Sequence, residues 1–526
     1  MKKFVVFSLA GLLIMAFSAT VYAQKLEFKA SGYLDVISTM SRNVPETPYE
    51  STGNFYATQA NPAFNNRLYP AAPGAVTTDA LGGAFDRNRS YMASRARLRF
   101  DAIMGPNLMG TIYLETDSVR WGEVTPAADQ RNAMGVWGAD RGAVEVKNIN
   151  ITFGVPGIPI PVQVQAGIIP LIYRPHILTY TDGTGIEARI KLDPVNIKLS
   201  WFKALENQDY SSDDVDVYGG DISVKAGPVT IGGFGLHYNM NTYPIPAAAA
   251  LLGPAVNNQA QMTWLGLYAD GKVGPVTLNF DLVFNTGEVT DNTNVAENLR
   301  PPDVDYRGWA TMLQLDYPWE KFNFGLIALY ESGADAHDTF PTGIPGTGVN
   351  PPAAVGVAPN FSDKVGAYIV PPNAEQGVND MSLIFYGTGG GGVTRAAGSG
   401  YLGSSPFAFA RGYGGTWAAK LYGSYRATPW YKIIMQGLYI GDTTKHGNTI
   451  GTAQKSAVAG DLRDDNTIGW ELDLINEVQI YKNLKFFLAG GVLFAGDAMD
   501  YYVNAANPAV SPKNPWAIFT ALKYSF

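Results

Sequence analysis

The run Arg87-Asn88-Arg89-Ser90-Tyr91-Met92-Ala93-Ser94-Arg95-Ala96-Arg97-Leu98-Arg99-Phe100 places five arginines in fourteen residues. Arg95, Arg97 and Arg99 have one parity, while Ala96, Leu98 and Phe100 have the other. Successive side chains of an extended strand point to opposite faces, so three guanidinium groups line one wall and apolar groups the other. The next segment answers with Tyr113, Glu115 and Asp117 against Ile112 and Leu114. An arginine facing lipid near the bilayer midplane costs about 2–4 kcal/mol, so these charges require a hydrated interior. The same parity rule assigns Glu187, Arg189, Lys191, Lys420, Glu471 and Asp473 to a lumen wall, and adds Glu145, Lys147, Lys198, Asp281 and Arg426. Two roles stand open for the arginine ladder. It biases a pore toward anions, or neighbouring carboxylates neutralise it as wall structure.

The elements that must position these charges are strands. The chain ends in Trp516-Ala517-Ile518-Phe519-Thr520-Ala521-Leu522-Lys523-Tyr524-Ser525-Phe526, where Trp516, Ile518, Leu522, Tyr524 and Phe526 share a face and Phe519 is a misfit. At the other end, basic Met1-Lys2-Lys3, the apolar run Phe4 to Ala19 and Val21-Tyr22-Ala23 read as a signal peptide over residues 1–23. No second long apolar run follows, which excludes a helical membrane protein and leaves a barrel open, because barrel strands alternate. Residues 24–526 show no linker and read as one sheet.

Pro, Gly or Asn mark eight short turns: Gly105-Pro106-Asn107, Gly154 to Pro161, Asp193-Pro194, Gly227-Pro228, Asp270 to Pro275, Pro318 to Lys321, Ala427-Thr428-Pro429 and Tyr481-Lys482-Asn483. Eight hairpins plus a first and a last strand give eighteen antiparallel strands. Sixteen is the alternative, because Val162–Tyr173 and Val215–Ala226 alternate weakly. Long loops are expected over about 39–88 and 334–410. The second of these contains Lys364 to Val370 and Met381 to Tyr386, which could pair as a small hairpin. Trp201, Trp264, Trp309, Trp417, Trp430, Trp470 and Trp516 fall near strand ends, where interface aromatics of a barrel sit.

The signal peptide, the arginine ladder and the aromatic final strand together resemble the Gram-negative outer-membrane porins. That resemblance implies a transmembrane β-barrel in the outer membrane, with short periplasmic turns, long extracellular loops and a terminal Phe. It also implies a water-filled channel for passive diffusion of small hydrophilic solutes or ions, a homotrimer, contact with outer-membrane lipid, and a long loop that folds in to narrow the lumen. Two other readings of a barrel remain: a structural or adhesive surface barrel with a plugged lumen, and the sheath of an electron-conduit complex.

Other chemistries find little support. The chain has no cysteine, which removes disulfides, thiolate metal sites and covalently attached c-type haem. His176, His237, His337 and His446 lack metal-ligand spacing, so neither a metal nor a cofactor is expected, and no enzyme signature stands out. A formal charge of -8 argues against nucleic acid as a partner.

Overall fold

In the computed structural model, residues 25–43, 88–121, 144–206, 209, 211–243, 258–291, 303–335, 364–372, 381–386, 415–451, 453–456, 462–502 and 505–526 are described. The expected signal peptide and most of the 39–88 loop lie outside them. The strands are β1 (Leu26–Arg42), β2 (Asn88–Met104), β3 (Leu108–Arg120), β4 (Glu145–Gly154), β5 (Val162–Tyr173) and β6 (Thr179–Leu192). β7 (Val195–Leu205), β8 (Val215–Ala226), β9 (Val229–Tyr243), β10 (Asn258–Val273), β11 (Val276–Asp291), β12 (Val304–Trp319) and β13 (Phe322–Glu331) follow. After the two-residue β14 (Lys364–Val365) come β15 (Thr416–Thr428), β16 (Tyr431–Asp442), β17 (Thr467–Tyr481), β18 (Leu484–Ala495) and β19 (Trp516–Ser525).

Apart from β14, each strand pairs antiparallel with its chain neighbours, and β1 pairs with both β2 and β19. The sheet is therefore a closed barrel of eighteen strands, not sixteen, and β5 and β8 are full members of it. Closure removes the sheet edges that an open sheet of this length would expose.

Alternation sets the two faces. Leu34, Phe100, Ile112, Leu199, Leu265, Phe284, Leu421, Met435, Leu472 and Ile518 are exposed on the outside. Asp35, Glu115, Glu187, Asp281, Lys420 and Glu471, of opposite parity, are buried inside. Phe519 breaks no rule: it has the inward parity and is buried.

Aromatics ring the outer face at two levels. Near the long loops, Trp309 stacks on Tyr330 at 4.7 Å, and Tyr439 lies 5.1 Å from Trp417 and 4.7 Å from Trp470. Near the short turns, Phe322 lies 4.7 Å from Tyr425 and 5.8 Å from Trp319. Trp309 and Trp319 share β12. Ten residues at about 3.3 Å each and a tilt of about 40° put them about 25 Å apart along the barrel axis, the height of a bilayer-spanning apolar band. Trp264 departs from the girdle expected of it. Its parity is inward, it is buried, and its Nε1–H donates to the Ile369 carbonyl at 2.9 Å.

The eight short turns fall where expected, with shifted edges. Asp270 lies in β10 and the turn is Gly274-Pro275, where Gly274 adopts φ of 60°. Pro318 pairs with Asn323 inside the β12–β13 ladder, and the reversal occurs at Glu320, φ 53°. Ala427 and Thr428 likewise end β15 before the turn at Pro429. β1 continues past Thr39 to Arg42, where its backbone stays paired with β19 and its inward side chains stay covered.

Candidate functional site

The arginine ladder is paired with its neighbouring strand. Register sets Arg97 opposite Glu115 and Arg99 opposite Tyr113. Arg95 Nε and Arg97 Nη2 lie 3.0 and 2.8 Å from the same Glu115 oxygen, and Lys147 Nζ lies 3.7 Å from the other. Lys147 also donates to Asp182 at 2.5 Å, and Asn148 donates to Asp182 at 2.8 Å. Glu115 and Asp182 thus tie three cations to one stretch of wall, and register sets Asp35 opposite Arg95. Arg99 pairs with Asp101 at 3.0 Å, and its side chain is 42% exposed against 15% and 16% for Arg95 and Arg97. Asp117 belongs to β3, but its side chain is outside those described.

The remaining candidates are spread around the wall. Glu187 is buried and accepts from Arg189 at 2.6 Å, while Arg189 is 49% exposed. Lys191 is exposed near the β6–β7 turn. Lys420 is buried, with its ammonium 5.1 Å from the Tyr422 ring centre.

Glu471 and Asp473 do different work. Both are buried, and both are covered by the long loop between β13 and β15. The Ile384 and Phe385 amides donate to the two Glu471 oxygens at 2.7 and 2.9 Å, and the Leu383 amide donates to Asp473 at 3.3 Å. Gln436 donates to Asp473 at 2.7 Å. The Asp473 carboxylate lies against Gly491, where a Cβ would meet its oxygen at 2.0 Å. Tyr386 extends the contact through Thr416, whose hydroxyl donates to Glu331 at 3.0 Å.

A second docked stretch lies against β10–β12. Lys364–Val365 pairs parallel with Asp305 and Tyr306. The Ile369 amide donates to Asn285, and the Tyr368 hydroxyl donates to the Ile177 carbonyl at 2.7 Å. Residues 365–370 and 381–386 are buried throughout, apart from half-buried Gly366. They do not form the hairpin expected of them: each grips its own part of the inner wall. Wall side chains accept from the Ile369, Leu383, Ile384 and Phe385 amides, which leaves these groups unavailable for pairing the two segments.

Arg174 escaped the parity reading because it lies in the β5–β6 connection, beyond the alternating residues. The connection folds inward and buries Ile177 and Leu178. Arg174 donates to both Asp270 oxygens at 2.6 and 2.8 Å, bonds Asp281, and stands 4.4 Å over the Tyr268 ring. Burial works against its charge, yet the Asp270 and Asp281 carboxylates outweigh that and raise its pKa above the ordinary arginine range. The sequence clue was a lone arginine in the short connection Arg174-Pro175-His176-Ile177-Leu178. Among the described residues, no three histidine, aspartate or glutamate side chains gather as a metal site.

An apolar belt between aromatic rows, around a charged interior, is the build of a membrane-spanning barrel of the outer-membrane porin type. No family model matches the sequence, and no curated protein matches it. Among solved structures, OccK8 (OprE) of Pseudomonas aeruginosa is similar at 10% identity and TM-score 0.45, over 95% of this chain and 98% of that one. OpdK of the same organism gives 10% and 0.43, over 95% and 99%. The trimer form of OmpT of Vibrio cholerae gives 7% and 0.36, over 95% and 99%. At such identities and TM-scores, solute, assembly and pore geometry rest on this chain's own residues.

Proposed function

We propose that the protein is an outer-membrane porin, with the short turns on the periplasmic side, that passes small hydrophilic solutes or ions by diffusion. The observation that carries this reading is the pairing of a lipid-compatible outer face with a wall of charged side chains of both signs, which a dry interior would not tolerate. The loop segments 364–372 and 381–386 narrow the lumen from the inside. A modest anion preference follows from the exposure of Arg99 on the inner wall. Arg95, Arg97, Arg99, Tyr113, Glu115, Glu187, Arg189 and Lys191 line the path, whereas Glu471 and Asp473 act on it by holding the loop. A homotrimer in the plane of the membrane is the assembly we favour.

The test is the reversal potential of purified protein in a planar bilayer under a salt gradient. Anion preference that falls on Arg99→Ser supports the reading, and a cation-selective wild-type channel overturns the bias.

A further inference from the structure

The outer face of the barrel carries a polar hollow where its apolar belt ends. Register across β9–β12 aligns Gly235, Leu265, Phe284 and Trp309 in one outward row. Two residues toward the long loops, the next outward row is His237, Thr263, Thr286 and Arg307. Beyond it Gln261, Glu288 and Asp305 stand side by side. Side chains of these two polar rows line a hollow of about 270 Å³. Two residues at about 3.3 Å each, tilted by about 40°, lift Arg307 about 5 Å above the level of Trp309. That is the headgroup layer, since interface aromatics mark the edge of the apolar band.

The charges in the hollow are set against one another without being paired. Glu288 and Asp305 lie directly opposite across the β11–β12 ladder, where like charges repel. Among the described residues, neither carboxylate joins an ion pair, and neither does Arg307. Lys364 lies in register beside Asp305, on the other edge of β12 and outside the hollow. Gln261, Thr286, Glu288 and Arg307 are exposed, so their polar groups are open to a ligand. His237 Nδ1 is 2.9 Å from the Thr263 hydroxyl, which fixes the imidazole on the wall of the hollow.

Charge complementarity selects the occupant. A headgroup with a phosphate alone would meet Arg307 but also two carboxylates. A headgroup with a phosphate and a primary ammonium satisfies both signs. Its phosphate bonds Arg307, and its ammonium reaches Glu288 and Asp305, one outward position, or about 7 Å, further along the strands. The acyl chains of the same molecule run down over Leu265 and Phe284, which are exposed directly below. We propose that this hollow binds the phosphoethanolamine headgroup of a membrane lipid at the long-loop end of the barrel. The site requires a membrane-spanning barrel but no open lumen, so it stands apart from the channel reading.

The test titrates the detergent-folded full chain with dihexanoyl phosphatidylethanolamine in a calorimeter. Saturable binding at a single site is expected, weakened at least about tenfold by Arg307→Ser and by Glu288→Gln combined with Asp305→Asn, the tenfold corresponding to about 1.4 kcal/mol. Dihexanoyl phosphatidylglycerol keeps the phosphate and lacks the ammonium, and should bind at least about tenfold more weakly. The substitutions lie on the outer face, so unheated electrophoretic mobility and conductance stay those of the parent. Four results each overturn the proposal: no saturable binding, equal binding of the phosphatidylglycerol, binding indifferent to both variants, or free phosphoethanolamine binding as tightly as the lipid. The last would make the hollow a site for a soluble solute.

Discussion

Replacing Glu471 by Ala removes the acceptor for two successive loop amides, those of Ile384 and Phe385, at 2.7 and 2.9 Å. A hydrogen bond contributes about 0.5–1.5 kcal/mol, so losing two of them costs the docked segment about 1–3 kcal/mol. At about 1.4 kcal/mol per decade, docking weakens by roughly one to two orders of magnitude. Glu471→Gln keeps one acceptor oxygen but turns an amide donor toward the other N–H, so it gives a smaller effect of the same sign. The barrel ladder around position 471 is backbone-bonded to β16 and β18 and survives either change. Single-channel recording should show a larger and noisier conductance, in the order Ala, Gln, wild type. Limited chymotrypsin digestion should cut beside Phe385 and Tyr386 in the variants before it does in the parent. Wild-type conductance and wild-type protease resistance in a folded Glu471→Ala barrel would refute the reasoning. Packing of Met381, Leu383 and Phe385 would then hold the segment without the carboxylate.

Other outcomes follow from the same wall. Arg99→Ser should lower the anion-to-cation permeability ratio more than Arg95→Ser, because Arg95 is largely covered and shares Glu115 with Arg97; reversal potentials rank the two. Arg174→Met leaves Asp270 and Asp281 without their shared partner and should cost about 3–5 kcal/mol, read as a lower unfolding midpoint by the heat-modifiable band in gels. Trp264→Phe removes the bond to the Ile369 carbonyl and should weaken the other docked segment by about 1 kcal/mol, visible as faster amide exchange at Ile369.

Much of the barrel was legible because the bilayer imposes a period of two on every strand. Leu265 and Leu267 outside, against Trp264 and Tyr268 inside, is a pattern the sequence displays in full. Trp264 nonetheless reads as an interface residue, since a tryptophan near a strand end suggests a girdle unless its parity is followed. Turn positions were readable from Pro and Gly, but not their limits. Pro318 sits within a ladder, while the backbone reverses at Glu320, which carries no turn signature. Parity also gave the inward face of Glu471 and Asp473 without giving what covers them. That depends on where residues 381–386 come to rest, a contact nearly ninety positions away in sequence. Arg174 belongs to the same class: its partners, Asp270 and Asp281, lie 96 and 107 positions along the chain.

The central claim is a hydrated path through a closed barrel, narrowed by a loop fixed to its inner wall. Planar-bilayer recording of the purified full-length protein tests it most directly. Stable stepwise ion conductance that rises on Glu471→Ala is the predicted result. A folded barrel that passes no current, with or without that substitution, would contradict the account and make the protein a plugged surface barrel.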